Sequence, residues 1–544
     1  MHLKLKSMVH RPLDFSGNSK GIAGNCDTSR IWKGEIVQID CILSASFLEA
    51  FFFDFLRSTS MAQHKMWIGG DWVEAESGKT YPVYNPATEE EIGQIPLGGA
   101  ADADKAVAAA RKALLVWSKK SQAERSQIAL KIAAVLREHH DELAALDVME
   151  HGTPAKRADF INADLPEWFE WTAYNARSLM GHTVPNSANE LDYLQREPVG
   201  VIALITPWNY PLLMIIEKLA PALTLGNTCI IKPPSIDSLT ALKLAELLDT
   251  AGLPPGAVNV ITGPGGKVGS ALASHRGVDM VAFTGSCEVG KELMMLGSKT
   301  LKRLQLELGG KNPVIILDDA DIETAAAEMA PAQFRNCGQV CASPGRFYVH
   351  AKVYDRFLAK FIEVTKKMTV GDPTDWKTMI GPVVSKAHRD TVEGYIQSAI
   401  DEGAKVILGG KRPTAPPMDK GYWVLPTVIT GVTQKMRVAR EEIFGPVAVF
   451  MEPFNFDEEV IEKANDNTFG LAAYVWTTDA ARGMRFINEL QAGTVTVGNV
   501  HGKDLDLPWG GYKESGIGKE HSLYGLYEYT NLKRAQVDIK MLKK

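Results

Sequence analysis

The chain has 544 residues, 45% of them hydrophobic and 23% charged, with a formal net charge of −6. At roughly 100–200 residues per domain it is long enough for two to four domains and a large core. Its acidic balance argues against nucleic acid or an anionic membrane as partner. Six cysteines are too few for a disulfide framework in a chain this long. No C-x2-C pair or H-E-x-x-H stretch suggests a zinc site, so no metal is expected and a reducing, cytoplasmic setting is.

Residues 1–60 stand apart from the rest. They lack clear periodicity and end in the apolar stretch Cys41–Leu56, which Glu49 and Asp54 interrupt. A membrane-spanning helix needs about 20 residues with few or no charges. A signal peptide carries its apolar region near the start. The two remaining readings are an over-extended start, with Met61 the natural beginning, and an appended targeting or docking segment.

From Lys65 onward, Met66–Val73 reads as a short strand. Two amphipathic helices follow, the second near Ala123–Glu150, with Ile128, Ile132, Leu136, Leu143 and Leu146 on one face and Gly152 past its end. Val201–Ile205, Cys229–Ile231, Val258–Ile261 and Met280–Phe283 are short apolar runs, as expected of strands buried on both faces. With a helix over Ser238–Thr250, this order predicts an open parallel sheet of the dinucleotide-binding type, with ligands at the carboxyl ends of its strands. A second alternating series predicts a second α/β domain: Pro313–Leu317, Phe347–Val349, Val406–Leu408, Val447–Phe450, Ala473–Trp476 and Thr494–Val497. The polar, β-like stretch Tyr527–Ile539 is expected to pair with a partner subunit or a neighbouring edge.

Several residues look chemical. Cys341 closes Asn336-Cys337-Gly338-Gln339-Val340-Cys341, ahead of Ser343-Pro344-Gly345. A loop cysteine beside a Gly/Pro turn is a candidate nucleophile, although a lone cysteine is more often a small buried hydrophobe. Cys229 and Cys287 read as packing. Glu307 lies in an apolar stretch before Gly309-Gly310. A desolvated carboxylate there could serve as a general base, or simply pair with a nearby lysine. Pro207-Trp208-Asn209-Tyr210-Pro211 follows a strand directly, and two prolines stiffen that turn. The Asn209 amide is a donor suited to an oxyanion. Lys232 stands at the next strand's end, where it can reach ribose hydroxyls or phosphate. Gly285-Ser286-Cys287 opens a helix whose N-terminus can receive a pyrophosphate. Glu442 and Phe444 precede a Gly-Pro turn.

Taken in order, P-W-N-Y-P, K-P-P-S, F-T-G-S, E-L-G-G-K-N-P, G-Q-V-C and E-E-I-F-G-P resemble the aldehyde dehydrogenase superfamily, over about Trp67 to Ile539. The separation of Glu307 from Cys341 agrees with the family pattern. The resemblance implies an α/β fold with a Rossmann-like cofactor domain (61–180 and 200–309), an α/β catalytic domain (310–510) and a β oligomerisation arm (181–199 and 511–544). It also implies NAD or NADP as cofactor, a small-molecule aldehyde as substrate, and a homodimer or homotetramer. By the same resemblance Cys341 attacks the aldehyde, and Asn209 with the Cys341 amide holds the oxyanion. Glu307 activates the water that hydrolyses the thioester. Lys232 and Glu442 hold the riboses, Ser286 meets the pyrophosphate, and Phe444 lies against the nicotinamide ribose. Trp208 and Val289 flank the cofactor and Gly265 allows close approach, while Ile205, Thr206, Gly285 and Leu308 complete its bed. Cys337 reads as packing, with an inhibitory disulfide to Cys341 as the other option.

Two departures stand out. Ser235 occupies a place where many NAD-specific relatives carry Glu. A carboxylate there bonds the ribose 2′-hydroxyl and repels a 2′-phosphate, so serine predicts that NADP is accepted. Gly498 stands where relatives more often have Asn, without a functional reading. Tyr210, Met214, Glu217 and Trp509 are expected to line the substrate tunnel. The aromatic pair would suit cationic amino- or betaine aldehydes through cation–π attraction, and aromatic or aliphatic aldehydes equally. No arginine among these positions disfavours dicarboxylate semialdehydes. A CoA-acylating enzyme or a non-enzymatic crystallin-like protein are the rival classes. Glu307 opposes the first, and Cys341, Glu307 and Asn209 together oppose the second.

Overall fold

The computed structural model describes residues 64–542, apart from 186–188, 501 and 503. Both readings of residues 1–60 lie outside the described residues.

Eight strands form the first sheet, and its five central strands, Val258–Val260, Thr228–Lys232, Val201–Ile205, Met280–Thr284 and Arg303–Glu307, are parallel. The run Val201–Ile205 is buried throughout because it feeds a core on each face. Ile202 and Leu204 pack into one cluster with Cys229 and Ile231, while Val201, Ala203 and Ile205 pack into another with Ile230. The period of two along the strand makes this alternation. Gly516–Ile517 closes one side of the sheet, antiparallel to Arg303–Glu307.

The expected single strand Met66–Val73 is a hairpin of Met66–Ile68 and Asp71–Val73, folded back at Gly69 and Gly70, whose φ values are +69° and +96°. Those left-handed angles suit glycine. The helix expected near Ala123–Glu150 is likewise two helices, Gln122–Glu138 and His140–His151. His139, at φ −104° and ψ 17°, ends one and begins the other, and its ring bonds Glu142. Ser121 and Glu124 form a capping box at the start, and Gly152 terminates the second helix in the left-handed region. The Ser238–Thr250 helix is observed over Leu239–Asp249. Its first amides donate to the buried Glu150 carboxylate rather than to Ser238.

The second sheet has seven strands, ordered Lys405–Leu408, Thr427–Val432, Val447–Met451, Pro344–Val349, Asn312–Ile316, Ala472–Trp476 and Thr494–Val497. All are parallel to their neighbours except the first. Thr427–Val432, absent from the sequence-based series, is its extra member. A third, antiparallel sheet sets Glu190–Pro198 between Thr183–Val184 and Thr530–Asp538. Tyr527 and Glu528, expected to be β-like, instead finish the helix Ser522–Glu528.

Candidate active site

The carboxyl ends of the first sheet face a cavity of about 590 Å³ whose other wall comes from the second sheet's domain. Glu307 ends its strand and lines this cavity, with 3% of its surface exposed. Its Oε1 is buried without a hydrogen-bond partner. Burial pushes its carboxyl well above the usual range, and Glu520 and Glu217 push the same way. Lys218 and a hydrogen bond from the Trp509 indole oppose them. Of the two readings of Glu307, the desolvated carboxylate is the one observed.

Opposite it, Cys341 is half-buried at the end of an unusual loop. Asn336, Cys337 and Gly338 take successive φ values of +51°, +55° and +71°. A Cβ on Gly338 would stand 2.1 Å from the Gly445 carbonyl oxygen, so only glycine fits. Side-chain amides hold this strained loop in place. Asn336 Nδ2 donates to the Asn209 carbonyl at 2.6 Å, and Asn209 Nδ2 donates to the Gln339 carbonyl at 3.0 Å. Asn312 Nδ2 donates to the Cys341 and Ser343 carbonyls, each at 2.8 Å. The Pro207–Pro211 turn and the cysteine loop are thereby laced together. An amide nitrogen has two hydrogens, so Asn209 keeps one to offer the cavity it lines. Burial raises the Cys341 thiol well above its ordinary pKa, with Glu307 and Glu442 adding to the effect. Cys229 and Cys337 are buried and raised by burial, Cys337 to about 12. Cys287, at about 11, gives its thiol hydrogen to the Glu514 carbonyl. All three behave as packing.

A dinucleotide fits the first sheet's edge. Buried Thr206 and Thr284 hydroxyls lack hydrogen-bond partners there. Lys232 is 5% exposed, and burial lowers its pKa to about 8. Next to it, an added Cβ on Gly265 would meet nothing closer than Lys232 Nζ at 3.8 Å. Ser286 caps the helix Cys287–Ser298, accepting from the Val289 amide, and leaves that N-terminus exposed. Glu442 accepts from the Gly310 amide at 2.8 Å, and burial pushes its carboxyl up to about 7. Phe444 meets Trp208 edge-on at 5.3 Å. Gly285, Leu308 and Trp208 join Ser286, Glu442 and Phe444 in the cavity wall. Ile205, Thr206, Lys232, half-buried Ser235, Gly265 and Val289 continue the edge outside it.

Tyr210, Met214, Glu217 and Trp509 all line the cavity. Glu217 does not face solvent. It is 7% exposed and ion-paired with His521, whose ring packs edge-on against Trp168 at 4.7 Å. Burial favours the neutral form of Glu217, but His521 and Lys218 outweigh it and hold its pKa down. Its charge is therefore already compensated. Lys218, fully buried, pairs with Glu520, which lines the same cavity. Two arginines outside that set of four positions, Arg335 and Arg157, also line the cavity. Sequence reasoning missed these two, together with Trp168, Glu520 and His521. Only Arg335 left a signal, since it precedes the cysteine loop directly.

The aldehyde dehydrogenase family model matches residues 72–535. The chain belongs to this family. It is 40% identical to a betaine aldehyde dehydrogenase of Bacillus subtilis over 474 residues, 86% of this chain and 96% of the relative. A putative aldehyde dehydrogenase of the same organism is 41% identical over 89% of this chain and 97% of its own. Among solved structures, betaine aldehyde dehydrogenase of Staphylococcus aureus in complex with NAD+ superposes with a TM-score of 0.87 at 36% identity, covering 91% of this chain and 98% of the other. A 3,6-anhydro-L-galactose dehydrogenase in complex with NADP gives a TM-score of 0.86 at 38% identity, covering 88% and 100%.

Proposed function

We propose that this oxidoreductase converts an aldehyde to a carboxylic acid through covalent intermediates on Cys341. The convergence of Cys341, Asn209 and Glu307 on one cavity beside the dinucleotide edge carries the reading. The Cys341 thiolate adds to the aldehyde carbon. The oxyanion of the resulting thiohemiacetal accepts from Asn209 Nδ2 and the Cys341 amide. Bound NAD or NADP supplies the hydride acceptor. A thioester remains on Cys341, and Glu307, as carboxylate, takes a proton from the water that attacks it. Lys232, Glu442 and Ser286 hold the cofactor's riboses and pyrophosphate, and Ser235 leaves room for a 2′-phosphate. The cofactor, catalytic and arm segments are taken as 61–180 with 200–309, 310–510, and 181–199 with 511–544.

The outer edge of Thr530–Asp538, with exposed Leu532, is assigned to a partner subunit in a homodimer or homotetramer, which light scattering will report. No helix among the described residues is long and apolar enough to cross a membrane. The decisive assay is NAD(P)H formation with a panel of aldehydes and each cofactor. Turnover that vanishes in Cys341→Ala supports the reading, and turnover that survives it sinks the covalent route.

A further inference from the structure

Two guanidinium groups face the cavity that holds Cys341. Arg335 opens the short turn Arg335–Gly338, on the same loop as Cys341. Arg157 belongs to the helix Ala155–Asn175, and its guanidinium lies 5.3 Å from the Phe160 ring centre. The Nε atom of each is buried without a hydrogen-bond partner, and neither side chain forms a salt bridge among the described residues. The other charges of this wall differ. Glu217 is paired with His521, Glu520 with Lys218, and Asp164 has contacts of its own. Arg157 lies close enough to the buried Asp147 carboxyl to pull its pKa down, whereas Arg335 forms no salt bridge among the described residues, and Glu217 and Glu520 of the same wall are already paired. A buried donor without a partner is costly. A planar guanidinium matches a carboxylate, which can accept two parallel N–H bonds from it.

We propose that the physiological substrate is an aldehyde with a carboxylate at its far end. Its carbonyl sits at Cys341, its carboxylate on Arg335 with Arg157 behind, and its carbon chain lies against Tyr210 and Trp509. The proposal rests on the aldehyde-oxidation reading above and names its substrate class. The aldehyde C–H bond breaks and its hydride goes to the bound NAD(P)+. A C–O bond forms from water, two protons leave, and the product is a dicarboxylate. A quaternary ammonium of equal length would meet the Arg335 guanidinium and be repelled.

The test is a charge series on one chain length: succinate semialdehyde, butanal, and the trimethylammonium counterpart. The wild-type enzyme is expected to prefer the anionic compound over butanal by about tenfold or more in kcat/KM, mostly through KM, as charge-assisted hydrogen bonds allow. In Arg335→Gln that ratio collapses towards one, Arg335→Lys restores part of it, and Arg157→Gln lowers it less. Because a loop variant can fail to fold, product inhibition of the wild type gives a second reading, with succinate inhibiting about tenfold more strongly than butyrate. The proposal is overturned if butanal or the cationic compound matches the semialdehyde. It also falls if Arg335→Gln lowers all activities in parallel and leaves the ratio intact. Cys341-dependent turnover of butanal in either case leaves aldehyde oxidation standing. Absence of turnover with every member of the series would fell that broader reading too.

Discussion

The cofactor edge and the substrate floor meet in one cavity but are built differently. The edge is mostly backbone: strand ends, a helix N-terminus at Ser286, and glycines that let side chains come close. At Gly309 an added Cβ would lie 2.4 Å from Glu442 Oε2. The floor is made of charged side chains from helices and loops far apart in the chain, with Lys218, Glu217, Glu520 and His521 pairing among themselves beneath Glu307. Changes of geometry should therefore damage the edge and the cysteine loop. Changes of charge should retune the floor while the fold persists.

Four substitutions sharpen or break that contrast. The largest effect is expected at Glu307→Gln, which keeps shape but removes the base. Steady turnover should fall by about 10²- to 10⁴-fold, while the first hydride transfer survives as a burst of reduced cofactor in rapid-mixing kinetics. Next is Gly338→Ala, which forces a Cβ against the Gly445 carbonyl at φ +71°. Its kcat should drop at least about tenfold, since small misplacements of a nucleophile cost that much, and its melting temperature should fall. Retained activity would mean the loop is soft. Ser235→Glu should then swing the NAD-to-NADP ratio of kcat/KM by about tenfold towards NAD, and an unchanged ratio would remove Ser235 from cofactor choice.

The smallest effect is expected at Trp509→Phe. The indole hydrogen bond lowers the Glu307 pKa, so its loss raises that pKa further. The carboxylate is the active form, and activity rises with pH through its pKa. The acidic limb of the hydrolytic step should therefore move to higher pH in the variant. A movement to lower pH would contradict the role given to Trp509.

Much of the edge was legible because each part is local. Strand, turn and helix start follow one another at Ile205–Pro211 and at Thr284–Cys287, and the apolar runs announce strands buried on both faces. The nucleophile loop was legible for the same reason, as a glycine and a cysteine in one short segment. The floor was not. Glu217 meets His521 across most of the chain, and Arg157 reaches the cavity from a helix whose pattern shows only amphipathicity. Arg335 adjoins the motif, yet nothing local tells whether an arginine there faces solvent or a cavity. Misread boundaries also had local causes. Gly69-Gly70 could be read as strand interior rather than turn, and His139 carries no sign of a helix break.

The proposed reaction passes through a thioester at Cys341 that Glu307 helps to hydrolyse. The direct measurement is mass spectrometry of the Glu307→Gln protein after incubation with an aldehyde and cofactor. An acyl mass on the peptide carrying Cys341, absent when cofactor is omitted, is the predicted result. Steady turnover near the parent rate with no acyl group on that peptide would contradict it.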